Sequence, residues 1–413
     1  MTLPPQKSLD QKLAAIHADP SGAKDFILAD AKDADMAFGV GAPGNSPERH
    51  DGELRFKTLA EYREQIRQVI HQGLADIVLM SASTADQLAI QERLFENSHV
   101  TPAARANDAS DVHLPRGGQT HLAPARPFRT AAIDHMQCGR LDCEPAERSV
   151  GANLGLYSVT FVNDIDRDLD TLNRYKEFRE EAERKGFRHF LEVFDPNVAK
   201  AVSAEALPGY INDHIARMLA GVAQAGRPVF LKIVYHGPKA MEELVRYDPH
   251  LVVGILGGAA GTTYDAFKLL GEAKKYGARA ALFGRKINNA ENQLAFIEFL
   301  RLIADGVLEP EEAVRAYHGV LGKLGVKPHR SLEDDMVLQT AVMSYGGTGA
   351  VSVPAAVKAD APASKPEPKA AGPATKPAPE AKPAATSTQP DFGKMTPAER
   401  LAYHQARLKR ILG

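Results

Sequence analysis

The residue with the strongest claim to chemistry is a lysine inside an apolar run. In PVFLKIVYHG, Lys232 stands between Leu231 and Ile233, with Phe230 and Val234 beyond them. The run reads as a parallel strand, and such strands are covered on both faces, so an ammonium there has no solvated side to turn to. Holding a charge in that place is costly. A buried amine relieved of its proton is a nucleophile that adds to carbonyls, and the resulting iminium is an electron sink that lets a neighbouring carbon–carbon bond break or form. The plainer reading is an ion pair across the interior, with Glu192 as the acid.

Two later runs carry a second signal. LVVGILGGAAGTT ends in Gly257-Gly258 and leads, through Thr262 or Thr263 as N-cap, into a helix, while ARAALFGRKINN ends in Gly284-Arg285. Exposed backbone N–H groups and a helix dipole favour an anion, and an arginine adds a bidentate donor, so phosphate is the expected ligand. Steric need at strand ends is the alternative reason for such glycines. Further polar residues close other runs: Asp33, flanked by Asp30 and Asp35, in ADAKDADMAFG; Glu192 in LEVFDP; Arg105, Asn107, Asp108 and Asp111 in ARANDASD; and Asp164 after VTFVN. Tyr235 and His236 follow the lysine. Glu192, Tyr235 and His236 are acid–base candidates; Arg105, Asn107, Asp108 and Asp111 are candidates for contacting substrate hydroxyls, and Tyr235 is also expected among the substrate-binding residues.

The elements that would position these groups alternate short apolar runs with amphipathic stretches. Runs at 25–30, 75–80, 99–105, 156–162, 188–193, 229–235, 251–258 and 278–284 read as strands. Helical patterns fill the gaps, as at 59–74, 167–186, 210–226 and 263–277, several of them ending in glycine. Eight such units predict an α/β chain folded as a (β/α)8 TIM barrel, whose site lies at the C-terminal ends of the strands. The stretch from 106 to 150 is long for a loop and is expected as an insertion beside the site. Two extra helices are expected after the barrel, at 309–325 and 331–344.

The strand-six lysine, the strand-seven double glycine and the strand-eight Gly-Arg, in order from Val229 to Gly306, resemble the archaeal-type class I fructose-bisphosphate aldolases. These belong to a Schiff-base superfamily with the deoxyribose-phosphate and tagatose-bisphosphate aldolases. The resemblance implies that Lys232 forms the Schiff base and that Gly257, Gly258, Gly284 and Arg285 hold a substrate phosphate. It also implies that no metal or organic cofactor is needed. Strand one matches in part: the family's Asp-His-Gly, with a further Gly six residues after the Asp, becomes Asp33, Ala34 and Asp35 with Gly39. Asp33 would then relay protons. Strand five departs, because Phe194 stands where the family has a tyrosine proton relay, leaving Glu192 as the favoured acid–base group and placing fructose bisphosphate itself in question.

Composition separates three parts. Of 27 prolines, nine fall between Val351 and Pro390 among twelve alanines, a mixture that cannot bury a core and reads as a disordered linker. Residues 391–413 read as an amphipathic helix, opened by Thr396 as N-cap, Pro397 at the first position and Glu399 closing a capping box. The formal charge of −2 divides into −7 for residues 1–350 and +5 beyond them, so the near-neutral total argues for neither nucleic acid nor membrane as partner. Linker and helix together resemble the encapsulation peptides that recruit enzymes into bacterial microcompartments, which would make a shell or other protein the partner of residues 391–413.

The expected location is cytoplasmic, or inside such a compartment, since the start has no signal-peptide run and no stretch of about 18 apolar residues occurs. A homo-oligomer acting on a phosphorylated sugar or aldehyde is expected. Cys138 and Cys143 read as ordinary thiols, because neither a second cysteine pair nor a nearby His-x3-His accompanies them. Two other functions compete: a phosphate-binding barrel isomerase or epimerase in which Lys232 is only an electrostatic group, and a non-catalytic barrel scaffold whose tail mediates assembly.

Overall fold

The computed structural model describes residues 5–44, 55–258 and 261–340. Eight strands form a closed parallel barrel: β1 (Ile27–Lys32), β2 (Ile77–Met80), β3 (Thr101–Arg105), β4 (Leu154–Thr160), β5 (Arg188–Phe194), β6 (Leu231–Ile233), β7 (Val253–Leu256) and β8 (Ala280–Phe283). Each falls within, or overlaps, one of the eight apolar runs. The ring closes where β1 pairs with both β2 and β8. The α/β barrel fold is therefore the one the alternating runs predict.

Strand alternation makes two cores. Inside the barrel lie Ile27, Ala29 and Ala31 of β1, Ile77 and Leu79 of β2, Ala103, Leu154, Leu156, Phe190, Phe230, Ala280 and Leu282. A helix at Ser8–Ala18 joins this inner set, its Leu9, Leu13 and Ile16 meeting the same cluster at i, i+4, i+7 spacing. Fully burying side chains of this kind is worth roughly 1.5–3 kcal/mol each. The opposite face of each strand, as with Leu28, Val78, Tyr157, Leu191, Leu231 and Ile255, packs under the surrounding helices.

Those helices start where the sequence places start signals. Thr58 and Thr262 each close a capping box, with Glu61 and Asp265, ahead of helices Leu59–Gln72 and Thr263–Lys275. Asp164 is the N-cap of Ile165–Arg184, accepting from the Arg167 N–H, which gives it a structural role instead of a substrate contact.

Two expectations need correction. Cys138 and Cys143 are bonded to each other, with S–S 2.01 Å, instead of being free thiols. Gly139, with φ +81°, turns the chain just after helix Ile133–Cys138, and this brings the two Cα atoms to 6.1 Å, inside disulfide range. The helix expected at 331–344 is one turn, Leu332–Asp335, and residues 341–344 lie outside the described ones. Tertiary bonds displace the helical pattern. The Gln339 and Thr340 N–H groups and the Thr340 hydroxyl donate to the Asp265 carboxylate at 2.7–3.2 Å, and Thr262 donates to the Val337 carbonyl. Asp335 accepts from the Thr263 N–H at 2.7 Å and pairs with His318.

The insertion after β3 holds a short antiparallel pair, Asp108–Ala109 with Pro127–Phe128. The chain divides into two units, the barrel unit taking in Met1–Asn45 and Phe56–Val351. The linker expected at 351–390 and the helix expected at 391–413 lie outside the described residues.

Candidate active site

The face that a strand residue takes decides whether it can reach a site. In β6 the inward set is Phe230, Lys232 and Val234, because Phe230 belongs to the inner core while Leu231, Ile233 and Tyr235 pack outward under the helices. Lys232 is 8% exposed and its Nζ lies 2.5 Å from Glu192 Oε1. Glu192, 2% exposed, is its register partner on β5, with Phe190 and Phe194 on the same face. The ion pair considered in the sequence is thus present. Gly254 is the partner of Lys232 on the other side, and an added Cβ there would come within 2.6 Å of the Leu231 carbonyl oxygen.

Glu192 is held from behind. The Ser158 hydroxyl of β4 donates to Glu192 Oε2 at 2.7 Å and accepts from Arg105 Nη2 at 3.4 Å. Arg105 Nη1 donates to Asp33 Oδ2 at 2.8 Å, Nη2 reaches Asp108 Oδ1 at 3.4 Å, and Nε donates to the Asn107 carbonyl. A row of groups therefore runs Lys232, Glu192, Ser158, Arg105, Asp33 across five strand ends. Buried charges are tolerable only when matched in this way.

One open cavity at the C-terminal ends of the strands collects most of the expected residues. Asp33, Arg105, Glu192, Lys232, Gly257, Gly258, Gly284 and Arg285 all line it, together with Phe38, Val112 and Phe194. Glycine at 257 and 284 has steric cause: an added Cβ would fall 2.1 Å from the Phe283 ring and 2.7 Å from the Ala31 carbonyl oxygen, respectively. Gly257, Gly258 and Gly284 all line the cavity, the Gly257 N–H being committed to the Leu282 carbonyl at 2.8 Å. The Arg285 guanidinium makes no hydrogen bond or ion pair among the described residues, leaving it available to a ligand in the cavity that it lines. Lys286, beside it, donates to the carbonyls of Gly261 and Thr262 and so ties the β8 loop to the β7 loop. Burial, with Arg330 nearby, brings the Lys286 ammonium down to about 8.

Other candidates do not reach the cavity. Tyr235 points outward with its hydroxyl buried and unpartnered, so it is not placed to contact a ligand there. Asp108 sits behind Arg105, where burial raises its carboxyl against the pull of the guanidinium. Asp111 accepts from Thr160 and is pushed up to about 6 by burial. Asn107 bonds the Ser158 backbone, His236 pairs with Asp195 at 2.8 Å, and Asp35 accepts from Ser81.

Two groups went unread in the sequence. Ser158 is one; its signal is alternation from Leu154 and Leu156, which turns it inward at the top of β4. Lys32 is the other, a second lysine in an apolar strand. It faces outward, 0% exposed, 3.3 Å from Asp30, and donates to Asn288 and Gln293.

No protein-family model matches the sequence, and no curated protein does. Solved structures do match. The fructose-bisphosphate aldolase from Slackia heliotrinireducens is 13% identical, with a TM-score of 0.52 over 76% of this chain and 96% of that one. An archaeal fructose-1,6-bisphosphate aldolase, with its catalytic Lys covalently bound to the carbinolamine intermediate of the substrate, is 15% identical, with a TM-score of 0.50 over 72% of this chain and 100% of that one. At such identities the likeness is one of fold: the chain shares the barrel of these aldolases.

Proposed function

We propose that the chain is a class I aldolase, a carbon–carbon lyase that acts on a phosphorylated sugar or aldehyde through a Schiff base on Lys232. The observation that carries this reading is the inward Lys232 in contact with Glu192, in the same cavity as Gly257, Gly258, Gly284 and the unpaired Arg285. The aldolases of the same fold support it.

In the proposed mechanism Arg285 and the glycine loops grip the phosphate and bring a carbonyl carbon to Lys232. The ammonium passes a proton to Glu192 Oε1, the freed nitrogen pair forms the C–N bond, and the carbonyl π pair moves to oxygen. Glu192 then moves a proton from nitrogen to that oxygen, giving the neutral carbinolamine, and donates once more as the hydroxyl leaves as water. The iminium carries the charge the ammonium began with. Removal of the proton from the β-hydroxyl, by Asp33 or Glu192, sends the carbon–carbon pair into the iminium and releases an aldehyde. Phe194 has no proton to exchange, so the carboxylates carry all of these transfers.

Borohydride reduction in the presence of dihydroxyacetone phosphate and a panel of sugar phosphates should fix a mass adduct on Lys232. Turnover that leaves Lys232 unmodified would sink the reading. The Lys232–Glu192 ion pair also suits the isomerase or epimerase alternative, in which the lysine acts as a charge. A Lys232→Arg variant that retains turnover points there, since arginine keeps the charge and forms no Schiff base.

The proposed division is a barrel at 1–350, a linker at 351–390 and a docking helix at 391–413 that takes a partner protein, with a microcompartment shell as the candidate. No helix among the described residues is long and apolar enough to cross a membrane. Residues 391–413 fused to a fluorescent protein should co-localise with a shell or partner complex in the native host; diffuse fluorescence would count against docking.

A further inference from the structure

We propose that Ser158 is a positioning residue for the Lys232 chemistry, fixing which Glu192 oxygen faces the lysine and coupling Glu192 to Arg105 and Asp33. This rests on the Schiff-base reading above and names a part that the sequence resemblance does not.

Three elements converge to place this one hydroxyl. Ser158 is the register partner of Glu192, which in turn pairs with Lys232, so the three stand side by side on the inner face. The Ser158 backbone is fixed where β3 has already ended. Its N–H donates to Asn107 Oδ1 at 2.6 Å and its carbonyl accepts from Asn107 Nδ2 at 2.8 Å, a side-chain amide standing in for a strand neighbour. Ser158 is fully buried, and its single hydroxyl proton is committed to Glu192 Oε2 at 2.7 Å, because the donor Arg105 occupies its other side.

The consequence is an asymmetric carboxylate. The terminal torsion of a glutamate is broad and two-fold, so a free Glu192 would present either oxygen. With Oε2 held by Ser158, Oε1 alone exchanges protons with Lys232 and with the departing hydroxyl. Arg105 remains matched by Asp33 and Asp108 while Glu192 is protonated.

The test uses the full-length protein and pyridoxal 5′-phosphate as an aldehyde probe, with borohydride trapping and mass mapping of Lys232 from pH 5 to 9. Because trapping needs no turnover, it reads imine formation directly. In Ser158→Ala the rate of labelling at neutral pH should fall by about tenfold, the scale of one hydrogen bond to a charged group. Ser158→Thr, which keeps the hydroxyl, should restore the rate to within about twofold. Labelling of Ser158→Ala at the wild-type rate overturns the proposal. So does a Thr variant as impaired as the Ala variant at equal melting temperature. If Ser158→Ala fails to fold, Ser158→Cys keeps the volume with a weaker donor, and an undiminished rate there overturns it equally. Wild-type protein that never labels at Lys232 brings down the Schiff-base reading and this proposal together, whereas labelling without a Ser158 effect removes only the latter.

Discussion

Lys32 and Lys232 are both buried lysines in apolar strands, and replacing Lys32 by methionine separates structure from chemistry. Lys32 lies outside the barrel wall, 3.3 Å from Asp30 and bonded to Asn288 and Gln293. Its removal strands an ionised, fully buried carboxylate. Asp30 already stands at about 6, raised by burial and held down in part by Lys32. Without the lysine it takes up a proton, at a cost at pH 7 of roughly 1.36 kcal/mol for each of about three pH units above the unfolded value, or about 4 kcal/mol, of which the wild type already carries about 3 kcal/mol, so the variant adds about 1 kcal/mol. Two stranded amide oxygens add about 1–3 kcal/mol each, and the methionine returns apolar contact. The expected net loss is about 3–5 kcal/mol, the range for breaking a buried pair, or on the order of 10 °C in melting temperature.

The pH dependence has a definite sign. A carboxyl raised above its unfolded value binds more protons in the folded state, so its contribution to stability is greatest in acid and is lost as pH rises from about 4 to about 6. In Lys32→Met the folded carboxyl titrates higher still, and the loss continues above that window. The gap between variant and wild type should therefore widen from pH 5 to pH 8, while pyridoxal phosphate still labels Lys232. Denaturant melts across that range supply the assay. A variant within about 1 kcal/mol of wild type at pH 8, or a gap that does not change with pH, would refute the placement of Lys32 as a structural partner of Asp30.

Arg285→Ala should weaken binding of a phosphorylated ligand by about tenfold or more, the loss of a charge-assisted contact, and should abolish competition by inorganic phosphate, with stability unchanged. Isothermal titration checks this, and an unaltered affinity would remove Arg285 from the phosphate site. Tyr235→Phe should leave Lys232 labelling unchanged and raise the melting temperature slightly, because the buried hydroxyl it removes has no partner. A loss of labelling would return Tyr235 to the chemistry.

The barrel was legible because eight apolar runs, alternating with capped amphipathic stretches, leave few other folds. Lys232 was legible because charge in a strand covered on both faces is rare enough to notice. That argument alone cannot separate it from Lys32; the inner or outer face of the neighbours does. Counting by two from Phe230 sets Lys232 and Val234 inward and Tyr235 outward, so the misplacement of Tyr235 lay in not following the period of the strand. Ser158 was hidden because its importance depends on Glu192 and Asn107, 34 and 51 residues away. The short helix at Leu332–Asp335 was hidden for the same kind of reason: Asp265 claims the N–H groups of Gln339 and Thr340.

The grip of Asp265 on Gln339 and Thr340 also decides where the chain can be cut. Asp265 stands in the first turn of the helix that follows Gly257 and Gly258, both of which line the cavity. A protein ended at Met336 would keep every long helix among the described residues and all eight strands, yet would strip this carboxylate of three donors in the helix that follows the loop proposed to hold phosphate. One ended after Thr340 keeps them. The last residues that look dispensable by secondary structure thus tie down the start of this helix, and a truncation intended to isolate the barrel must be drawn outside them.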